Sequence, residues 1–219
     1  MYYLLVFLPI LLVIGAQKYI ENTYKRNKLF STKNNITGKE VAELILSSYN
    51  INDISVVEVS GLLTDHFDPK RKVLGLSSEN YKTNSISSIA VSAHECGHVI
   101  QYKENYLFLK IRSFLVPIVN FSSKFAFGLL LLGFFAEITQ LVTIGIILLC
   151  MGLLFQLVTL PVEFDASKKA KMILINNNII EKDELEKVNT VLNAAALTYV
   201  VGFIANLLQI LRLFMSRRR

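Results

Sequence analysis

The amino-acid sequence predicts a mainly α-helical integral membrane protein, with three to four transmembrane helices and a small α+β domain inserted after the first. The chain is strongly apolar, since 53% of its 219 residues are hydrophobic and the mean hydropathy is +0.45. The hydrophobic residues are concentrated in four segments, at residues 2–16, 114–136, 138–160 and 191–211. Each of the last three has about 20 residues, enough for a helix to cross a hydrocarbon core ~30 Å thick. The polar segment after the first contains helix and strand patterns, which predict a separate domain.

The first hydrophobic segment predicts a transmembrane anchor over residues 1–20, extended into the membrane interface by Gln17, Tyr19 and Ile20. A cleaved signal peptide is the alternative interpretation. Signal peptides carry basic residues ahead of the apolar core, whereas here the basic residues begin after it, at Lys18. The order of the charges therefore favours an uncleaved anchor.

Residues 21–113 predict one soluble domain. Its first part, residues 21–36, is polar and is expected to be irregular. The T-x-x-E pattern of Thr37–Glu40 then predicts a capping box at the start of a helix over residues 38–49. One side of this helix carries the residues Val41, Leu44, Ile45 and Ser48.

The middle of this domain has the pattern of a small sheet. Residues 54–59 are rich in β-branched side chains and predict a strand, which Gly61 ends. Asp68-Pro69 suits the first two positions of a type I turn, because Asp accepts backbone hydrogen bonds and Pro presets φ. The pattern predicts an exposed sheet edge near residues 72–77, to which a substrate could add as a strand.

A helix over residues 84–103, capped by Asn84 or Ser85, carries the sequence's main chemical motif, H-E-C-G-H at residues 94–98. Two histidines four positions apart project from one helix face, so both imidazoles can share one Zn²⁺ at ~2.0–2.1 Å. The glutamate between them is rotated by ~100° and can reach a metal-bound water. Cys96 points to the opposite side, and Gly97 indicates the close approach of another backbone.

The alternative interpretation of this motif is an ordinary polar pair on a helix surface. The chain has only three histidines, and two of them are His94 and His98. The helix also carries an apolar surround that predicts burial, made up of Ile89, Ala90, Val91, Ala93, Val99 and Ile100. Burying two histidines and Glu95 without partners would be costly, which favours the metal site.

A catalytic zinc site needs a third protein ligand and an open fourth position. The other candidates are His66, Glu104, Glu137, Glu163, Asp165 and the acidic group at residues 181–186. Glu163 is favoured, because a transmembrane hairpin over residues 114–160 returns the chain to the side it left. The alternative is that Glu163 is simply an acid in the first turn of a helix, where negative charge is stabilising.

Residues 161–190 predict a helix that carries this third ligand. Pro161 can start or kink it. On the same face as Glu163, small side chains would allow close packing against the zinc-binding helix; they belong to Ala166, Ser167 and Ala170. Asp165 points elsewhere and is expected to pair with Lys169 four positions on.

Four segments together resemble the bacterial membrane family called putative neutral zinc metallopeptidases. They are SAHECGHVIQ, TDHFDP followed by KVLGLS, LPVEFDASKKA and VLNAAALTYV, and the resemblance covers residues 37–212. More distantly, the chain is similar to heat-shock membrane metalloproteases and CAAX-processing proteases, in which the third ligand opens an E-x-x-A-D segment. Glu163 and Ala166 match that pattern, whereas Ser167 stands where Asp is usual.

The resemblance implies a zincin-like metallopeptidase domain with zinc bound by His94, His98 and Glu163. Glu95 would act as the general base in the hydrolysis of a peptide or membrane-protein substrate. The oxyanion needs a further donor, for which Tyr199 and His66 are the candidates. Each has an ordinary alternative, Tyr199 as an interfacial aromatic and His66 as a surface turn residue.

Two other functions remain open on the sequence. A membrane scaffold or chaperone could keep a structural zinc, although structural sites normally have four protein ligands, often cysteines. Metal transport is the weaker alternative, because no paired acidic ligands accompany the polar residues of the hydrophobic segments, which are Lys124, Gln156, Asn193 and Asn206. The two cysteines, Cys96 and Cys150, do not suggest a disulfide framework.

The net charge of +6 comes from Lys and Arg next to the hydrophobic segments. This placement favours a lipid bilayer as partner, with anionic headgroups, over nucleic acid, for which no motif is found. The positive-inside rule places residues 18–113 and 161–190 in the cytoplasm, at the cell membrane. A full span over 191–211 would then leave the basic tail at 217–219 outside, so residues 191–219 are predicted as a hydrophobic helix that either spans the bilayer or lies beside the zinc domain.

Overall fold

The computed structural model describes residues 2–217, with side chains described for residues 6–215. The helices in this part of the chain are α1 (Tyr2–Lys28), α2 (Gly38–Ser48), α3 (Ser78–Lys82), α4 (Ile86–Lys103), α5 (Leu107–Phe135), α6 (Thr139–Asn176) and α7 (Leu185–Arg217). The strands are β1 (Ser55–Val59), β2 (His66–Asp68) and β3 (Val73–Ser77). Residues 218 and 219 of the predicted basic tail, and residue 1 of the predicted anchor, lie outside the described residues.

Three of the described helices are long and apolar enough to cross a membrane, over Leu107–Phe135, Thr139–Asn176 and Leu185–Met215. The predicted anchor falls in α1 and stays a prediction. Residues 21–28, expected to be irregular, instead continue this helix to Lys28. Basic side chains in its last turn, from Lys25, Arg26 and Lys28, interact favourably with the negative end of the helix dipole.

The helix that carries Glu163 differs from the one predicted. The structure has a single continuous helix, α6, whose 38 residues extend about 57 Å at ~1.5 Å per residue. Pro161 lies inside this helix rather than at its start, although proline removes one backbone hydrogen bond from a helix interior. The predicted helix over 161–190 is therefore wrong at both ends: α6 ends at Asn176, and α7 begins at Leu185.

The chain divides into two compact units. One consists of Met1–Gln17, Leu107–Pro161 and Leu197–Arg219, and the other of Lys18–Tyr106 and Val162–Ala196. The first unit has a small apolar cluster of Leu130, Val142, Ile146 and Leu213. The second holds the sheet and α2 to α4. Because it includes residues 162–196, it is assembled from two separated parts of the chain and not from residues 21–113 alone.

The sheet has the strand order β1-β3-β2. β1 pairs in parallel with β3, with Ser55 opposite Val73, and β2 pairs antiparallel, with His66 opposite Gly75. The predicted exposed edge near residues 72–77 is therefore wrong, since β3 is the central strand and both its sides are occupied. The chain order of three strands does not determine their spatial order, and the central strand here is the one whose Leu74 and Leu76 are fully buried.

The helix starts in the second unit follow the sequence closely. Glu40 and Thr37 form the predicted capping box, with Thr37 N–H donating to Glu40 Oε2 at 2.7 Å. On α2, Val41 and Ile45 are fully buried as expected, whereas Leu44 is 52% exposed. Ser85 rather than Asn84 caps α4, by accepting a hydrogen bond from the Ser88 N–H at 3.1 Å. The core of this unit forms around α4, which is buried on almost every side.

Candidate metal centre

The structure brings His94, His98 and Glu163 together. The rings of His94 and His98 lie edge to face on α4, with their centroids 4.8 Å apart. Glu163, on α6, places its Oε2 atom 3.3 Å from His94 Nε2 and 3.6 Å from His98 Nε2. Within the described residues, this is the cluster of His, Cys, Asp and Glu whose ligand atoms could surround one ion, all within 4.8 Å of one another.

Gly97 explains how α4 and α6 approach closely enough for this arrangement. A Cβ atom at this position would lie only 2.6 Å from the Ala166 carbonyl oxygen and 3.1 Å from Ala166 Cα. On α6, the facing residues Ala166 and Ala170 are fully buried. The predicted close backbone approach at Gly97 and the small side chains that permit it are both confirmed.

The donor set and its surroundings fit zinc. Both histidines direct Nε2 towards Glu163, while each Nδ1 has a protein partner. Ser167 Oγ lies 3.2 Å from His94 Nδ1, and Gln101 Oε1 lies 3.0 Å from His98 Nδ1. Two imidazole nitrogens and one carboxylate oxygen are a ligand set of catalytic zinc, and such histidines generally hydrogen-bond through the other ring nitrogen. Ser167 stands where similar families usually have Asp, and its hydroxyl group makes the contact to His94 Nδ1.

Asp165 does not behave as the sequence predicted. Its Oδ2 atom accepts a hydrogen bond from Gln101 Nε2 at 2.9 Å. Lys169, the expected partner, instead forms an ion pair with Glu104 at 2.7 Å. Helical phasing correctly separated Asp165 from the face of Glu163, but α4 also packs beside α6 on the flank where Asp165 lies. Gln101 was missed altogether, although its position three residues after His98 places it on the same helix face.

Glu95 lies buried beside the cluster of His94, His98 and Glu163, in surroundings that suit a proton acceptor. Only 9% of its surface is exposed, and burial raises the pKa of its carboxyl group despite the opposing charges of the two histidines. A raised pKa brings a glutamate closer to the range in which a general base works well. Cys96 is fully buried on the other side of α4, where its thiol contacts the Ala42 carbonyl oxygen at 3.8 Å. Burial also raises the pKa of this thiol, which agrees with the prediction that it is not a ligand.

The two predicted oxyanion donors, His66 and Tyr199, lie on different elements, β2 and α7. His66 is exposed on β2, where its Nδ1 lies 2.8 Å from the Thr64 carbonyl oxygen and its ring covers Gly75. It does not belong to the cluster of His94, His98 and Glu163 that could hold a metal ion. Tyr199 lies on α7 in the other compact unit and is 39% exposed. The role of each in stabilising an oxyanion stays a prediction.

The two histidines of an H-E-x-x-H helix and a glutamate from a second helix form a group that could hold a metal ion, with the residue types that zinc metallopeptidases use. The chain belongs to the family described as putative neutral zinc metallopeptidase, whose model matches residues 2–218. It is also 41% identical over 200 residues to the putative membrane protease YugP of Bacillus subtilis strain 168, covering 91% of this chain and 89% of that protein. No solved structure matches the chain. The family resemblance drawn from the sequence motifs is confirmed.

Proposed function

We propose that this protein is a membrane-bound zinc metallopeptidase that hydrolyses peptide bonds. The observation that carries this proposal is the convergence of His94 Nε2, His98 Nε2 and a Glu163 oxygen next to a buried glutamate that is not a ligand. A purely structural site would be closed by a fourth protein ligand, and the described residues contribute only three to this cluster. The family description and the name of the Bacillus relative support the same activity.

Each side chain of the site has its own role in the proposed hydrolysis. Zinc, when bound, would lower the pKa of a water molecule and polarise the substrate carbonyl. His94, His98 and Glu163 hold the ion, while Ser167 and Gln101 fix the two imidazole rings through Nδ1. Glu95 accepts a proton from the attacking water and then delivers it to the leaving amine. Tyr199 and His66 stay the candidates for the donor to the oxyanion.

Removing the metal is the direct test of this proposal. We expect about one zinc per full-length chain purified in detergent, because the three ligands form one site. Chelation should abolish cleavage of peptide and membrane-protein substrates, and added zinc should restore it. Activity and zinc content are measured on the same preparations by a cleavage assay and by elemental analysis.

His94→Ala and His98→Ala provide the matched controls, since each should lose zinc and activity together. Zinc content near zero in metal-replete wild-type protein would exclude the metalloenzyme. Full zinc occupancy with no cleavage of any substrate would favour the scaffold or chaperone instead.

We further propose that the unit containing the zinc site lies in the cytoplasm of the cell, as the positive-inside rule indicates. Cysteine labelling with a membrane-impermeant maleimide tests this orientation in a Cys150→Ser background. Asn52→Cys, at an exposed position in this unit, should resist labelling from outside intact cells. Glu137→Cys, in the turn between α5 and α6, should be labelled efficiently. Labelling of Asn52→Cys but not of Glu137→Cys from outside the cell would show that the orientation is the opposite one.

A further inference from the structure

A buried chain of hydrogen bonds lies behind His98, on the side away from Glu163. Gln101 is completely buried one turn after His98 on α4. Its Oε1 atom lies 3.0 Å from His98 Nδ1. Its Nε2 atom donates to the Val162 carbonyl oxygen at 2.8 Å and to Asp165 Oδ2 at 2.9 Å. One amide therefore connects the ring of a proposed ligand to two oxygen atoms of α6.

The two acceptors on α6, the Val162 carbonyl oxygen and Asp165 Oδ2, together determine which way this amide faces. A backbone carbonyl oxygen can only accept a hydrogen bond, so the NH₂ group of Gln101 must point towards it. The second N–H then points towards Asp165, and Oε1 is left facing His98 Nδ1. An acceptor at that position requires a proton on Nδ1. Neutral His98 must then carry its lone pair on Nε2, the atom that faces Glu163.

His94 has no comparable constraint from its own partner. Ser167 Oγ lies 3.2 Å from His94 Nδ1, and a hydroxyl group can either donate or accept a hydrogen bond. Both tautomers of His94 are therefore compatible with this contact. Of the two histidines, His98 is the one whose surroundings select the tautomer that can bind zinc.

We propose that Gln101 and Asp165 are positioning residues that hold His98 in its zinc-binding tautomer before the metal arrives. This inference rests on the proposed zinc site: it extends the role of Gln101 from fixing the ring to selecting its tautomer, and it adds Asp165. Gln101 acts directly on the ring. Asp165 acts through Gln101, because it takes the N–H that would otherwise be left unsatisfied in a buried position. Orienting contacts of this kind typically change metal affinity by about 10- to 100-fold.

The tautomer of His98 in the metal-free protein separates this role from a purely structural one. We would record ¹⁵N spectra of the full-length chain in micelles with labelled histidine, using His98→Ala to assign the signal. The spectra are recorded at a pH high enough for His98 to be neutral, because, against the lowering effect of burial, the facing Glu163 carboxylate raises the pKa of this ring. Under that condition the wild-type protein should show Nδ1 protonated and Nε2 unprotonated. Gln101→Met, which keeps the side-chain length without hydrogen bonds, should lose this preference. Its zinc affinity, measured by competition with a chromogenic chelator, should fall about 10- to 100-fold.

Two Asp165 variants provide an independent comparison. Asp165→Asn keeps an oxygen that can accept from Gln101, so the tautomer of His98 and the zinc affinity should stay close to those of the wild type. Asp165→Leu has no acceptor and should shift both. Ser87→Ala is the control for α4 stability, because it removes a buried hydrogen bond to the Tyr24 carbonyl oxygen without touching His98.

The inference is wrong if Gln101→Met behaves like Ser87→Ala, with lower stability but an unchanged tautomer and zinc affinity. If Gln101→Met does not fold, the two Asp165 variants decide on the same measurements, and equal values for both would overturn the inference. Wild-type protein that binds no zinc would instead refute the proposed function. The tautomer of the metal-free protein would still test the roles of Gln101 and Asp165.

Discussion

Replacing Glu95 by Gln should leave zinc bound while reducing peptide hydrolysis by about 10²- to 10⁴-fold, the usual contribution of a general base. Glu95 lies on the zinc-binding helix but is not one of the three converging ligands. The amide of Gln has nearly the same shape as the carboxylate, so the buried site should keep its packing. The Gln amide, however, is too weakly basic to take a proton from water. Turnover and zinc content are measured on the same purified samples.

Glu104→Gln is the matched control for this experiment. Glu104 follows α4 directly, but its side chain is 52% exposed and pairs with Lys169 at the surface. The same chemical change there should cost less than ~1 kcal/mol of stability and leave turnover unchanged. If Glu95→Gln turns over substrate at the wild-type rate, Glu95 is not the base. If it instead loses zinc, Glu95 has a structural role at the site.

The sequence predicted the parts of the site that local geometry determines. The spacing of His94 and His98 places both on one face of any helix, and the membrane hairpin placed Glu163 with them. Gly97 predicted a close neighbouring backbone, because a helix interior rarely favours glycine without such a reason. These predictions depended on helix periodicity and on the length of a membrane span, which are readable from one sequence.

Other features depended on how elements pack, and the sequence did not predict them. The contact between Asp165 and Gln101 requires the relative rotation of α4 and α6, which helical phasing within one element does not supply. The central position of β3 likewise depends on which strand pairs with both of the others, here with β1 on one side and β2 on the other. At Pro161, the local preference for a helix boundary was overridden by the long helix around it. In each case, tertiary packing decided between locally acceptable alternatives.

Replacing Glu163 by Ala should weaken zinc binding by more than about 100-fold, beyond the usual effect of losing an orienting contact. Glu163 is buried, and its Oε2 atom faces both histidine Nε2 atoms, so its loss leaves two imidazoles and water around the ion. Glu163→Gln should have an intermediate effect, because a neutral amide oxygen is a poorer zinc ligand than a carboxylate. Competition with a chromogenic chelator measures all the variants on one scale.

Asp165→Ala makes the comparison informative about the fold as well as the chemistry. The expected effect of Asp165→Ala depends on whether Asp165 pairs with Lys169, as the sequence predicted, or with Gln101, as the structure shows. A surface pair with Lys169 would contribute only ~0.3–0.5 kcal/mol and leave zinc bound normally. The observed contact with Gln101 predicts a weaker zinc site, though less weakened than by Glu163→Ala, since the ion keeps all three ligands. If Asp165→Ala strips zinc while Glu163→Ala retains it, Glu163 is not the third ligand, and the rotation of α6 against α4 is wrong by two residues.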